Sequence, residues 1–144
     1  MHVGISGTFW PAVTTGSGQH LHGLLPALTE VDRSVSYTLY IPRFASQHAE
    51  VRDSPVATRI ITTPFDGHSQ DFAKLWYEQV ALPRAARADS IDVLHIPYFA
   101  APLMHRMPVV VTIHDMIPSI LTEYQATPNV RRYMRLAAQA ARRA

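Results

Sequence analysis

Short apolar runs rich in β-branched residues alternate along this 144-residue chain with segments that carry helical apolar stripes. The runs predict five strands, at residues 2–6, 35–41, 56–63, 91–96 and 108–114. Strands that alternate with helices usually pair in parallel, because a helical crossover returns the chain to the same edge of the sheet. The last two runs are almost continuously apolar, which is typical of strands covered on both faces. The sequence therefore predicts an α/β domain with a Rossmann-like, doubly wound and mainly parallel sheet.

The first predicted helix follows a glycine-rich loop and has Ser17 as its expected N-cap. Four leucines recur at i, i+3, i+4 and i+7 from Leu21 to Leu28, which is a helical apolar stripe. Pro26 lies inside this stripe, where its ring clashes with the carbonyl of His22. We therefore expect this helix to be kinked at the proline.

A long helical segment covers residues 69–88, with Ser69 as its expected cap. Pro83 is expected to kink or split it, because proline breaks the backbone hydrogen bonding of a helix. Trp76 and Tyr77 are expected to pack in the core. The polar stretch at residues 43–54 is either a brief helix or an irregular excursion between two strands.

The last helix is predicted to begin at Thr127 and Pro128, which have the favoured order of a cap followed by a first-turn proline. Its expected buried stripe consists of Val130, Tyr133, Met134, Ala137, Ala138 and Ala141. Five arginines lie off that stripe, namely Arg131, Arg132, Arg135, Arg142 and Arg143. They form either a solvated face or a surface for acidic lipid headgroups.

The composition excludes several classes of protein. The chain has no cysteine, which excludes disulfides and thiolate metal sites and fits a cytoplasmic location. It has no apolar run of the roughly 18 residues that a membrane span needs, and its first residues do not resemble a signal peptide. A nucleic-acid partner is not expected, because the pI of 9.2 comes without an aromatic platform among the clustered arginines.

Polar and glycine-rich segments follow three of the predicted strands. In open α/β sheets, ligands bind outside the carboxyl ends of the strands. The loop of residues 14–18 contains Gly16 and Gly18 before a helix, which is either an anion site or a flexible entry to that helix. His114 ends the fifth strand, where it can bind a hydroxyl group or move a proton, or be satisfied by backbone carbonyls. Asp115 either orients His114 or caps the next turn, and His95 is expected to stabilise a loop.

The common phosphate and metal motifs do not fit. Leu21 occupies the third glycine position of a dinucleotide fingerprint, and residues 41–43 offer no acid for a ribose. No P-loop sequence occurs. His20 and His22 lie two positions apart on different faces of a helix, and no other cluster has the spacing of metal ligands, so no metal is expected.

Four segments together resemble the N-terminal half of a family 4 glycosyltransferase of the GT-B fold, over residues 1–144. They read TGSGQHLHGLLPAL, KLWYEQVALPRAAR, DVLHIPYFAAP and PVVVTIHDMIP. The more specific parts are W-x-E-Q-x-x-L-P at residues 76–83 and T-I-H-D-x-I-P at residues 112–118. The loop departs from related sequences, since Gln19 and His20 stand where Arg or Tyr is common.

The resemblance implies two Rossmann-like domains that face each other across a cleft. The N-terminal domain would hold the acceptor, and a C-terminal domain with a glutamate pair would hold most of the nucleotide-sugar donor. Gly16, Ser17 and Gly18 would then approach the donor diphosphate, with His114 beside the transferred sugar as the catalytic contact. The remaining implied residues, at the acceptor, are Tyr98, Phe99 and Asp115.

The implied activity is that of a retaining hexosyltransferase of polysaccharide biosynthesis, with a nucleotide sugar as co-substrate, no metal, and a saccharide or lipid-linked acceptor. The sequence ends within a predicted helix and contains no donor domain, so we expect a fragment that is inactive without its C-terminal domain. We expect a cytoplasmic location, with peripheral contact at the inner membrane face as a further option. The alternative is a non-catalytic α/β module that binds a phosphorylated metabolite.

Overall fold

The computed structural model describes residues 1–46, 53–115, 117–120 and 127–144. Its centre is a five-stranded sheet in which every pair of neighbouring strands is parallel. The strands are β1 His2–Ser6, β2 Ser36–Pro42, β3 Ala57–Ile61, β4 Val93–Ile96 and β5 Val109–Val111. Their spatial order is β3-β2-β1-β4-β5, which confirms the predicted Rossmann-like, doubly wound sheet.

The helices are α1 Gly16–Val31, α2 Gln70–Trp76, α3 Leu82–Ala88, α4 Ile117–Ile120 and α5 Pro128–Ala141. A 3₁₀ turn at Arg43–Ala45 follows β2, and it accounts for the start of the polar stretch. Residues 47–52 of that stretch lie outside the described residues. The predicted strands and long helices are therefore present, with ends that differ by a few residues.

Both faces of the central strands are buried, as predicted for a doubly wound sheet. Successive residues of β2 point to opposite sides: Leu39 and Ile41 pack with Leu21 and Leu25 of α1, whereas Tyr40 packs in the other layer. The second layer includes buried residues of α3 and α5, such as Ala86 and Ala137. The core thus consists of one apolar layer on each side of the sheet.

The fifth strand is shorter and more exposed than predicted. It ends at Val111, not at residue 114, and it lies at one edge of the sheet. Val110 is 52% exposed and Ile113 is 46% exposed, so the expectation that both faces of this strand are covered is wrong for those side chains. As an edge strand, β5 has a neighbouring strand on one side alone. Its sequence is nevertheless as apolar as that of a central strand.

The N-cap of α1 is Thr15 and not Ser17. Thr15 has extended backbone angles, and its side chain accepts a hydrogen bond from the Gly18 amide at 3.2 Å. Ser17 already lies in the first turn of the helix. Pro26 lies inside α1, which remains one helix as far as Val31.

The segment of residues 70–88 stays helical throughout, since Tyr77, Ala81 and Leu82 all have helical backbone angles, so Pro83 does not split it. Ser69 caps α2, and a π-helical turn at Tyr77–Ala81 separates α2 from α3. Pro83 lies at the start of α3, directly after this turn. The chain therefore accommodates the proline next to a widened helical turn, without a break in the helix.

Two predicted burial patterns need correction. Trp76 is 36% exposed and contacts the ring of Phe65 at 5.7 Å between centroids, so the prediction that it packs in the core is wrong. Tyr77 is fully buried, as predicted. In α5 the buried positions are Ala137 and Ala140, whereas Val130 and Ala138 of the predicted stripe are exposed. The predicted cap at Thr127, followed by Pro128, is confirmed.

Candidate functional site at the carboxyl edge of the sheet

The crossover directions of the sheet reverse between β1 and β4, and this is where open α/β sheets bind ligands. β1 continues to β2 and β3 on one side, and β4 leads to β5 on the other. The carboxyl ends of β1 and β4 lie side by side, because Ile5 pairs with His95. The loop before α1 and the segments after β4 and β5 therefore meet at one edge.

Four hydroxyl groups form a buried network at the end of β1. The Ser6 hydroxyl lies 3.3 Å from the Tyr77 hydroxyl and 3.4 Å from the Tyr98 hydroxyl. The Thr8 hydroxyl lies 3.1 Å from that of Tyr98, and Tyr77 donates to the carbonyl of Tyr40 at 2.7 Å. Burial raises the pKa of both tyrosines, so these phenols are neutral donors and acceptors. These hydroxyl groups form a hydrogen-bonded polar cluster at the carboxyl ends of β1 and β4.

Three histidines lie close together at the same edge of the sheet, one in α1, one in β4 and one after β5. The ring of His20 in α1 lies edge-on to the ring of His114, with 4.7 Å between centroids. His95 of β4 shares a hydrogen bond of 2.8 Å with the hydroxyl of Thr112. Burial, and then the proximity of His20 and His114, lower the pKa of His95 to about 4. His95 is therefore neutral at physiological pH, and its hydrogen bond joins β4 to the segment after β5.

His114 is exposed, and its Nε2 lies 3.1 Å from the carbonyl oxygen of Pro97. Because a carbonyl accepts and never donates, Nε2 carries the proton. In the neutral ring, Nδ1 then remains as a hydrogen-bond acceptor. The backbone alternative considered for His114 is thus present at Nε2, whereas a role for Nδ1 in binding stays a prediction.

The first turn of α1, with Gly16 and Gly18, lies near His114, because His20 of the same helix contacts the His114 ring. Helix geometry leaves the first amides of α1 without intrahelical acceptors, and the Thr15 side chain satisfies that of Gly18. The amides of Gly16 and Ser17 are the remaining candidates for an anion. A Cβ added at Gly16 would meet no atom within 4 Å, so this end of the helix is open.

The three residues assigned to the acceptor differ in their placement. Tyr98 is only 4% exposed, and its hydroxyl belongs to the hydrogen-bonded network at the end of β1. Phe99 is partly buried, and its ring packs 6.5 Å from that of Tyr133. Asp115 is exposed and accepts a hydrogen bond from the Ile117 amide at 2.9 Å, which is the capping alternative.

Sequence reasoning missed a buried acid in the π-helical turn. Glu78 is completely buried, and the hydroxyl of Tyr133 donates to its two carboxylate oxygens at 3.1 and 3.0 Å. Lys74, one helical turn earlier, lies 3.5 Å from the carboxylate. Burial raises the pKa of Glu78, and the Lys74 charge opposes that shift. The signal in the sequence was an acid next to the buried Tyr77, with a lysine four residues before it.

A family model described as Glycosyltransferase Family 4 matches residues 14–144. The chain belongs to glycosyltransferase family 4. The recognition made from the four sequence segments is thereby confirmed. No curated protein and no solved structure matches the chain significantly.

The family 4 domain shows two further features within the part of the chain that the structure describes. No group of three or more His, Cys, Asp or Glu side chains in residues 1–46, 53–115, 117–120 and 127–144 could hold a metal ion. None of the described helices is long and apolar enough to cross a membrane. His20 and His22 are separated as expected, because His22 stacks on Trp10 at 3.8 Å whereas His20 faces His114.

Proposed function

We propose that this family 4 glycosyltransferase domain provides the acceptor side of a retaining enzyme. The enzyme transfers a sugar, as a hexosyltransferase, from a nucleotide-sugar donor to a saccharide or lipid-linked acceptor. The observation that carries the proposal is the position of His114. It stands exposed at the topological switch edge, with one ring nitrogen fixed by the Pro97 carbonyl and with the open end of α1 beside it.

The first turn of α1 is proposed to receive the donor diphosphate. The amides of Gly16 and Ser17 carry unsatisfied N–H groups, and the helix dipole adds a partial positive charge at the same end. An anion bound there is stabilised without a charged side chain. This arrangement supports a site for the nucleotide sugar that needs no resident metal.

His114 is proposed to contact the transferred sugar. Its Nδ1 can accept a hydrogen bond from a sugar hydroxyl, because Nε2 is already committed to Pro97. A contact held in place before the substrate binds loses little entropy, so it can act in the transition state. Phe99 and Asp115, with Tyr98 beneath them, are proposed to border the acceptor.

A second, donor-side domain of the full-length protein is proposed to complete the cleft, so that residues 1–144 do not turn over by themselves. The exposed arginines of α5 support a further proposal, in which a cytoplasmic enzyme touches an anionic membrane surface. Binding of the protein to vesicles with anionic lipid, and not to neutral vesicles, tests this contact. Equal binding to both kinds of vesicle contradicts it.

The proposed activity is tested with the full-length protein and a panel of nucleotide sugars, with saccharide and polyprenyl-phosphate-linked acceptors. We expect release of the nucleoside phosphate product together with a new glycoside, whose anomeric configuration by NMR matches that of the donor. An inverted product contradicts the retaining mechanism. Tight binding of nucleotide sugars without transfer to any acceptor favours the alternative of a metabolite-binding module.

A further inference from the structure

His20 is the closest ring neighbour of His114 that the structure records, although it lies 94 positions away in the sequence. The two rings meet edge to face, with an interplanar angle of 71° and 4.7 Å between centroids. This geometry is one of the preferred arrangements of aromatic pairs. His20 contacts the His114 ring from the side of α1, and the Pro97 carbonyl contacts it from the segment after β4.

His20 itself has no polar partner that would explain its presence. Its Nε2 is buried and has no hydrogen-bond partner among the described residues. Burial of a polar atom without a partner costs free energy. His20 therefore meets His114 through the face and edge of its ring, and not through a hydrogen bond of this nitrogen.

The surroundings of His20 keep it neutral. Burial, followed by the proximity of His114, lowers the pKa of His20. The titratable groups that face it are His114, after β5, and His95, on β4. A proton on one of these rings disfavours a proton on its neighbours, so the pKa values of His20 and His95 are both lowered.

We propose that His20 is a positioning residue, which holds the ring of His114 against the Pro97 carbonyl in its Nε2–H tautomer and so presents Nδ1 to the sugar. This inference rests on the proposed function for its consequence in turnover. The tautomer itself is a property of the domain and does not depend on any reaction. His20 acts through the face and edge of its ring, and it does not touch the substrate.

The test compares two variants, His20→Ala and His20→Phe, with His68→Gln as a control at an exposed histidine far along the chain. The Phe variant keeps a ring against His114, and the Ala variant removes it. Nitrogen-15 shifts of the imidazoles at pH 8 report the tautomer of His114 in the full-length protein. Steady-state kinetics with the donor and acceptor found for the enzyme report kcat and KM.

We expect a single Nε2–H tautomer in the parent, the Phe variant and the control, and a mixture of tautomers in the Ala variant. We expect kcat/KM to fall on the order of 10- to 100-fold in His20→Ala, because a small misplacement of a preorganised group has an effect of that size. His20→Phe should restore most of it. An unchanged His114 tautomer in a folded His20→Ala protein overturns the proposal, even if no sugar transfer is ever found.

A further result would also overturn it. If His20→Phe keeps the tautomer but loses as much kcat/KM as His20→Ala, the nitrogen of His20 and not its ring is required. His20 would then contact the substrate directly. Thermal melts of both variants show whether the compared proteins are folded.

Discussion

Gly18 packs so closely on the backbone of Ala12 that an added Cβ would lie 2.0 Å from the Ala12 carbonyl oxygen. At Gly16, two residues earlier in the first turn of α1, an added Cβ would meet no atom within 4 Å. The two glycines therefore have different reasons to be glycine. Gly18 permits the close approach of the loop to α1, whereas Gly16 keeps the end of the helix open.

We predict that Gly18→Ala destabilises the domain by about 1–3 kcal/mol or more, because backbone atoms cannot move aside as a flexible side chain can. Gly16→Ala is the matched control, and its free energy of unfolding should stay within about 1 kcal/mol of the parent. Urea denaturation of the two variants measures the difference. Equal losses in both variants would show that the contact with Ala12 is not what requires Gly18.

The two tryptophans provide a test of the corrected core. Trp10 is 1% exposed, whereas Trp76 is 36% exposed on the surface of α2. Trp10→Ala should cost about 3–5 kcal/mol, as large core truncations do, and Trp76→Ala should cost clearly less. Quenching by acrylamide in Trp10→Phe and Trp76→Phe proteins reports the exposure of the remaining indole. If Trp76 is quenched by acrylamide as little as Trp10, the assignment of Trp76 to the surface is wrong.

The buried carboxyl of Glu78 predicts a dependence of stability on pH. Its pKa is raised in the folded state, so the folded protein binds more protons than the unfolded protein between the two pKa values. The free energy of unfolding contributed by Glu78 is thus greatest at low pH and falls as the pH rises through the folded pKa. Glu78→Gln removes this loss, so it should gain stability relative to the parent as the pH rises.

Tyr133→Phe tests the hydrogen bond to the same carboxylate from the other side. It removes the hydroxyl that donates to both oxygens of Glu78, so it should be most destabilising at high pH, where the carboxylate is charged. Denaturation of the three proteins between pH 5 and pH 9 gives the comparison. If the curves for the parent and Glu78→Gln run parallel over that range, Glu78 does not titrate there.

The lowered pKa of His95 predicts that the free energy of unfolding depends on pH in the opposite direction. Its pKa of about 4 in the folded state is below the value of an ordinary histidine, so the unfolded state binds more protons between those two values. The stability from His95 is fully present above pH 6.5 and is lost as the pH falls towards 4. Allowing for its partial exposure, about 2 kcal/mol should be lost. The loss should be absent in His95→Gln, as measured by melts across this range.

The sequence predicted the sheet because the pattern that forms it is local. Alternating runs and stripes identify each strand and helix, and parallel pairing follows from the helical crossovers. The edge position of β5 could not be predicted from this pattern, because Val110 is an apolar residue of the kind that is usually buried. Trp76 was misplaced for a similar reason: a large aromatic residue predicts burial, but Trp76 lies one turn after Phe72 in α2, and both side chains are exposed.

The site was predicted less completely, because it depends on contacts between distant segments. Strand ends identified His114, and the loop before α1 identified Gly16 to Gly18. The contact between His20 and His114 joins the first helix to the segment after the last strand, and no spacing in the sequence predicts it. Glu78 was missed because a buried acid is uncommon, and its partner Tyr133 lies 55 residues away.

The most direct test of the proposed function compares His114→Ala with the parent and with His95→Ala, in the full-length protein. Sugar transfer from the nucleotide-sugar donor and the thermal melt are measured on the same preparations. We predict that His114→Ala loses about 2.7–4 kcal/mol of transition-state stabilisation, seen in kcat, while its melting temperature stays close to that of the parent. His95→Ala should melt earlier and lose less turnover per folded molecule. Undiminished turnover in folded His114→Ala protein would contradict the assignment of His114 to the transferred sugar.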